Sequence, residues 1–247
     1  MTDGTENALE SPHLPRSFFH SLSLSLTYTQ TNTHTYAFHT HAEEIYEDES
    51  WDDAGTNAGV ILVANELERI LEETYGIEVL HVVADFYENG SLVVTGGEYE
   101  RMEPVIQQVI DDNPSIQIAI DIHRDSLGNP DLHLMTEIDG QETAKIMFVN
   151  GVCMRRDADN NLIPQQFLVS DYIEDNLAFS LQAQMAGLTY YPDMMRKIYL
   201  NQYRYSTHML PYSLLLEVGA DNNSVQEAIN AMTPFAQILA QVFGWDN

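Results

Sequence analysis

The sequence has little positive charge. Ten Lys and Arg residues face 38 Asp and Glu residues in a chain of 247, which leaves a formal net charge of −28. Proteins that bind nucleic acid or anionic lipid neutralise phosphates with clustered Lys and Arg, so we expect neither partner here. A divalent cation is the charged ligand that such a surface attracts most easily. The same charge also favours solubility in a salty or crowded medium, and composition does not separate the two explanations.

Cysteine and long apolar runs are scarce as well. The single cysteine, Cys153, excludes an intramolecular disulfide and a cysteine-rich zinc site. No run of apolar residues approaches the ~18 that a membrane helix needs. Residues 1–16 are acidic, whereas a secretory signal is basic. Either the protein is cytosolic, or a signal or anchor has been removed from it.

Two regions differ in pattern. Residues 1–33 are predicted to be a Ser/Thr-rich tail or linker, because they lack a sustained apolar period. From residue 34, β-branched runs alternate with helical patterns, which predicts an α/β fold with a mostly parallel sheet flanked by helices. The Asp-Gly pair at 139–140 predicts an inserted β-hairpin. We therefore expect one domain over 34–247.

Several helix boundaries can be predicted from capping residues. One helical pattern ends at Gly76, which is a typical C-terminal signal. A second opens with Ser170 as N-cap and ends at Gly187. The last helix is predicted to run through 224–244.

Side chains that bind metals stand at the predicted ends of three strands. His39, His41 and Glu44 follow the first strand, the segment 121–125 (DIHRD) ends the third, and Glu217 lies at the end of the last. Ligands bind beyond the C-terminal ends of strands in an open parallel sheet. Imidazoles with a carboxylate and no thiol are the ligands of a catalytic zinc ion that keeps one open position.

Each of these residues also has an explanation without function. A single histidine such as His123 is most often a surface or satisfied core residue, and the acids at 43–47 are typical of a solvated loop. His39 and His41 favour a shared site more strongly, because alternate residues of a strand point the same way. Glu217 follows three leucines in a strand predicted to be buried, where a carboxylate needs a partner or a chemical role.

Five motifs in order along residues 35–245 resemble signatures of the stage II sporulation protein P family. They are HTHAEEIY (39–46), EYER (98–101), DIHRD (121–125), YRYSTH (203–208) and LEVG (216–219). The sequence departs from the family pattern in its strong acidity, and Glu98 and Met102 replace two serines around the second motif. The membrane anchor expected of the family is not found in these residues.

The resemblance implies a zinc amidase-like fold and a zinc-dependent N-acetylmuramoyl-L-alanine amidase. Such an enzyme cuts the amide between the muramic acid of peptidoglycan and the stem peptide, and family members are also credited with cleaving peptide cross-links. The implied partners are a lytic transglycosylase and a membrane protein of the sporulation machinery during engulfment. The implied location is extracytoplasmic, normally with a membrane anchor.

The resemblance also implies the site residues. The Zn²⁺ ligands would be His41, Glu44 and His123, with Glu217 as the general base. His41 is favoured over His39 because the family ligand is the last residue of the strand-end motif, and Glu44 is favoured over Glu43 by register alone. Both alternatives stay open at the level of sequence.

Arg124 and His208 complete the predicted catalytic residues. Arg124 is a fixed cation next to His123 and would hold a substrate carboxylate or the oxyanion. Its alternative role is a salt bridge with Asp121 or Asp125. His208 would stabilise the oxyanion or orient the substrate, and one of the two aspartates would orient His123.

Two other functions fit the same residues. One is a catalytically silent scaffold that binds the cell wall, and the other is a zinc peptidase of different specificity. The presence of all four zinc-site residues argues against the scaffold, since the loss of any one of them would have favoured it.

Overall fold

The computed structural model describes residues 34–84, 87–88, 91–92, 97–129 and 131–245. The tail predicted at 1–33 lies outside these residues. The elements in chain order are β1 His34–Phe38, α1 Val60–Tyr75, β2 Glu78–Val82, β3 Tyr87–Glu88, β4 Ser91–Leu92, α2 Glu98–Asp112, β5 Ile116–Asp125, β6 Met135–Ile138, β7 Gln141–Ala144, β8 Ile146–Gly151, β9 Met154–Arg156, β10 Leu162–Pro164, α3 Ile173–Tyr190, β11 Tyr199–Asn201, β12 Ser213–Ala220, α4 Val225–Asn230 and α5 Met232–Phe243.

Six strands form the central sheet in the order β11-β8-β12-β5-β1-β2. The strands β2, β1, β5 and β12 are mutually parallel. The strand β8 pairs antiparallel with β12, and β11 runs parallel to β8 at the edge. The mostly parallel α/β sheet predicted from the sequence is confirmed.

Alternation along the central strands separates two cores. Ile118, Ile120 and Ile122 of β5 pack in the cluster that also contains buried residues of α1, α3, α4 and α5. Ala119 of the same strand belongs to a second cluster with residues of α2. Because successive side chains of a strand point to opposite faces, the odd-numbered residues at the end of β5 face the side of α2.

The predicted hairpin is present between β6 and β7. Asp139 and Gly140 both adopt positive φ angles, of 51° and 79°, as a two-residue turn between strands of this kind requires. The apolar run that follows does not extend the hairpin. It forms β8 and enters the central sheet.

Two predicted helix boundaries are wrong. The helix α3 has Tyr172 rather than Ser170 as its N-cap, and it continues past Gly187 to Tyr190. A Cβ on Gly187 would lie 2.4 Å from the sulfur of Met195, so this glycine permits close packing and does not end the helix. The last helical region is divided at Ala231 into α4 and α5. Within the described ranges, no helix is long and apolar enough to span a membrane.

Candidate metal and catalytic centre

The ends of β5 and β12 place three site residues on one face of the sheet. The two strands are parallel neighbours, and their register sets Glu217 opposite His123. Asp121, His123 and Glu217 all follow the alternation that points toward α2. Strand pairing therefore brings His123 and Glu217 together although they lie far apart in the sequence.

His41 reaches the same place from a turn. The strand β1 ends at Phe38, and the chain then turns through 40–43. The ring of His41 lies with its centroid 5.5 Å from that of His123. Its Nδ1 atom lies 3.1 Å from Oε1 of Glu43. Burial tends to lower the pKa of His41, but the contact with Glu43 outweighs it and the pKa is raised.

Glu44 is held beside His123 by the backbone around it. Its Oε2 accepts a hydrogen bond of 2.9 Å from the amide of Arg124 and lies 3.4 Å from Nδ1 of His123. The carbonyl of Glu44 accepts from the amide of Val60 at 3.0 Å. A Cβ on Gly59 would lie 1.9 Å from that carbonyl oxygen, so only glycine fits at the start of α1.

Carboxylates surround the imidazole of His123. Its Nε2 lies 2.9 Å from Oδ1 of Asp121, although not in hydrogen-bonding geometry. Burial tends to lower the pKa of His123, but Asp121 and Glu44 outweigh it and raise the pKa well above its ordinary value. Asp121 is itself fixed by Thr40, whose amide and hydroxyl both donate to the carboxylate. The position of this histidine is therefore set by its neighbours.

Glu217 carries a free carboxylate oxygen in a mostly buried position. Its Oε2 atom has no hydrogen-bond partner among the described residues. Burial raises the pKa of Glu217 to about 7, with further raising by Glu44 and Asp125, while His123 and Arg196 oppose the shift. A carboxyl group with a pKa near neutrality exchanges protons readily at physiological pH.

His39 faces away from this group. Its Nδ1 lies 2.9 Å from the carbonyl oxygen of Ile122, and its Nε2 lies 2.9 Å from Nε2 of His81 on β2. Burial first, and then His81, lower the pKa of His39 to about 3. The expectation that His39 and His41 share a site is wrong, because β1 ends at Phe38 and the two rings, which follow it, have different partners.

The arginines of the site differ from the predicted arrangement. The Nε of Arg124 donates a hydrogen bond of 2.6 Å to the carbonyl oxygen of Ile45. A terminal nitrogen of the same side chain lies 3.4 Å from the carbonyl oxygen of Asp125. The carboxylate of Asp125 instead accepts a 2.7 Å hydrogen bond from Arg196. Sequence reasoning missed Arg196, because it lies outside every strand-end motif.

His208 lies on the side of α2 with other partners. Its Nε2 is 3.5 Å from Oε1 of Glu103, whose other carboxylate oxygen pairs with Arg204. Burial, and then the charge of Arg204, lower the pKa of His208. The structure thus brings His41, Glu44, His123 and Glu217 together, whereas the side chains of Arg124 and His208 make contacts of their own.

Tyr99 is a second residue that sequence reasoning did not name for the site. Its ring centroid lies 5.9 Å from that of His41, and it stacks on His123 at 6.5 Å with an interplanar angle of 17°. Tyr99 lies in the first turn of α2. The EYER motif was the signal that could have identified it.

The donor set matches zinc in chemical kind. His41, His123 and Glu44 supply two imidazoles and one carboxylate without a thiol, which is a catalytic zinc set. Among the described residues, the buried Oε2 of Glu217 has no hydrogen-bond partner. Across the part of the chain that the structure describes, no three His, Cys, Asp or Glu side chains already converge as metal ligands. The imidazoles lie against carboxylates instead, so ligation requires side-chain rearrangement.

Comparison with known proteins gives one family and several similar folds. The family model described as "Stage II sporulation protein P (SpoIIP)" matches residues 3–240. No curated protein matches the chain by sequence.

The chain is also similar to solved structures, among them three amidases. The amidase AmiC2 of Nostoc punctiforme is 13% identical with a TM-score of 0.44, and the match covers 87% of this chain and 94% of that one. The CwlD amidase from Clostridioides difficile, solved in complex with the GerS lipoprotein, is 13% identical with a TM-score of 0.47, and the match covers 86% of this chain and 95% of that one. The catalytic domain of the amidase CwlV from Bacillus (Paenibacillus) polymyxa var. colistinus is 13% identical with a TM-score of 0.43, and the match covers 86% of this chain and 98% of that one.

Proposed function

The chain belongs to the stage II sporulation protein P family, and we propose that it is a zinc-dependent peptidoglycan hydrolase. The bond it would cut is the amide between N-acetylmuramic acid and the L-alanine of the stem peptide. Peptide cross-links are a second proposed substrate. Lysis of this kind would take place outside the cytoplasmic membrane, beside a lytic transglycosylase and a membrane protein during sporulation.

One observation carries the proposal. Glu217 presents a buried oxygen that has no partner in the described part of the chain, its carboxyl group has a pKa of about 7, and it lies on the strand next to His123. A buried carboxylate in such a state is costly for folding, so a chemical role is the simplest reason to keep it. Its neighbours are residues of the metal-binding kind, which points to hydrolysis.

The proposed zinc ligands are His41, Glu44 and His123. A zinc ion held there would lower the pKa of a bound water molecule to ~7 and would polarise the scissile carbonyl. Glu43 supports this choice of ligands, because it lies against Nδ1 of His41 and would orient the ring. Both ring nitrogens of His39 are occupied by Ile122 and His81, which favours His41 over His39.

The chain's own residues would perform the proton transfers. Glu217 removes a proton from the attacking water and returns it to the leaving amine. Thr40 holds Asp121, whose carboxylate lies 2.9 Å from Nε2 of His123, and the backbone amide of Arg124 holds Glu44. The catalytic role predicted for the Arg124 side chain becomes a positioning role in this proposal, since its Nε is bound to a backbone carbonyl.

His208 would act on the substrate rather than on the metal. It lies beside Glu103 and Arg204 on the side of α2. Burial and the charge of Arg204 lower its pKa, which favours the neutral ring, and a neutral imidazole can donate one hydrogen bond to an oxygen of the substrate.

Digestion of purified peptidoglycan, with products identified by mass, tests the proposal. Release of stem peptides with a free N-terminal alanine is expected from zinc-loaded protein. Glu217→Gln should keep zinc and lower the rate by about 10²–10⁴, because glutamine cannot accept the proton. Glu47→Gln, at an exposed position of the same acidic surface, is the matched control.

Other products would redirect the conclusion. Split cross-links alone would identify an endopeptidase. A zinc-loaded, folded protein that binds the wall and releases no product would identify a scaffold and refute the proposal.

A further inference from the structure

Three tyrosines form a continuous row that begins at the candidate centre. We call Tyr99, Tyr205 and Tyr203 the tyrosine row. The ring centroids of Tyr99 and Tyr205 are 5.4 Å apart, and those of Tyr205 and Tyr203 are 6.3 Å apart. Tyr99 contacts His41 and His123 at the inner end, while Tyr203 is 51% exposed at the outer end.

The row is held in place by features that core packing alone would not need. Tyr205 adopts a left-handed backbone with φ of 52°, which is strained for a bulky residue. Its hydroxyl accepts a hydrogen bond of 2.6 Å from Asn201. A Cβ on Gly151 would lie 2.5 Å from the carbonyl oxygen of Tyr203, so glycine at the end of β8 lets this segment approach closely.

The chemistry of the row suits an uncharged sugar chain. Tyrosine offers an apolar ring face and a polar edge, and the C–H faces of pyranose rings stack on such faces. The exposed side chain of Gln202 adds an amide group that can bond to N-acetyl substituents. The arginines nearest along the chain are already beside carboxylates, Arg204 with Glu103 and Arg101 at 3.6 Å from Glu98. An anionic stem peptide therefore gains little there.

We propose that the tyrosine row is a glycan-binding subsite that holds N-acetylated sugars next to the scissile bond. The inference rests on the proposed function in one respect. The inner end of the row reaches the proposed zinc ligands, so sugars bound to the row would lie next to the bond that is cut. Sugars stacked on Tyr205 and Tyr203 would set which muramic acid lies at the centre. Binding by the row itself needs no hydrolysis.

A β-1,4-linked oligomer of N-acetylglucosamine is the probe, because it contains no peptide and no charge. Full-length protein is titrated with it by calorimetry. Tyr203→Ala should weaken binding about tenfold, equivalent to ~1.4 kcal/mol, and Tyr203→Trp should preserve it. Tyr190→Ala removes a similarly exposed ring from the end of α3 and should leave the affinity unchanged. Circular dichroism establishes that each variant is folded.

The outcomes separate this inference from the proposed function. The inference is overturned if the wild-type protein does not bind the oligomer, if Tyr203→Ala binds it equally well, or if Tyr203→Ala loses affinity for a free stem peptide instead. Oligomer binding that depends on Tyr203, in a protein that releases no peptide from the wall, would refute the hydrolase and leave the subsite standing. Release of peptide from the wall without such binding would support the hydrolase and overturn the subsite.

Discussion

Glu217→Gln should make the metal-free protein more stable above neutral pH while it slows the proposed hydrolysis. In the folded chain the carboxyl group of Glu217 is mostly buried, and one of its oxygens has no partner among the residues that the structure describes. Burial, with help from Glu44 and Asp125, raises its pKa to about 7. The folded state thus favours the neutral acid, and ionisation works against folding.

The size and pH range of the effect follow from that pKa. The gap between an ordinary glutamate pKa of 4.5 and about 7 corresponds to roughly 3 kcal/mol of unfolding free energy. Because the folded pKa is the higher one, this stability is present in the wild type below pH 4.5 and is lost as the pH rises toward 7. Glutamine does not titrate, so the variant loses none of it.

Urea unfolding followed by circular dichroism, at pH 5 and pH 8 in the presence of a chelator, measures the difference. The advantage of Glu217→Gln over the wild type should grow by about 2–3 kcal/mol between the two conditions. Glu47→Gln removes one charge from the same acidic chain at an exposed position, so it controls for general repulsion. If the wild type and Glu217→Gln show parallel pH dependences, the reasoning about Glu217 is refuted.

Three further predictions concern the metal ligands, the glycine at the start of α1 and the net charge of the chain. Elemental analysis should find about one zinc per chain in the wild type and in His39→Ala, but none in His41→Ala; the reverse pattern would make His39 the ligand. Gly59→Ala should lose zinc and should have a melting temperature well below that of Gly76→Ala. Both glycines have a positive φ, but only a Cβ at Gly59 would clash with Glu44. Equal melting temperatures would contradict this. Hydrolysis of peptidoglycan should rise, or at least not fall, from low salt to ~0.15 M as the repulsion from a net charge of −28 is screened; a steep fall would mean that local basic contacts dominate.

The sequence predicts those parts of the fold that depend on local pattern. The Asp-Gly turn at 139–140, the left-handed C-cap at Gly76 and the buried run of β5 all follow from chemistry within a few residues. The convergence of the segment 121–125 with Glu217 also follows, because parallel strands deliver their C-terminal ends to one edge.

What the sequence does not predict depends on contacts that are distant along the chain. Gly187 has the appearance of a helix stop, and only its packing against Met195 shows why it lies inside α3. Arg196 lies outside every motif and reaches Asp125 only after the chain has folded. His39 and His41 differ in direction because β1 ends at Phe38, and a strand end is uncertain by a residue or two from sequence alone.

The unequal cover of the two sheet faces has a consequence for internal motion. In the described part of the chain, α1, α3, α4 and α5 share one continuous apolar cluster, whereas α2 packs in a smaller one on the other face. Segments with fewer buried apolar contacts open at lower free energy than the core does. The amide hydrogens of α2 should therefore exchange with solvent earlier than those of α1 and α5. Since Tyr99 lies in the first turn of α2, we expect the side of the molecule that would admit the glycan strand in the proposed function to be the side that opens more easily.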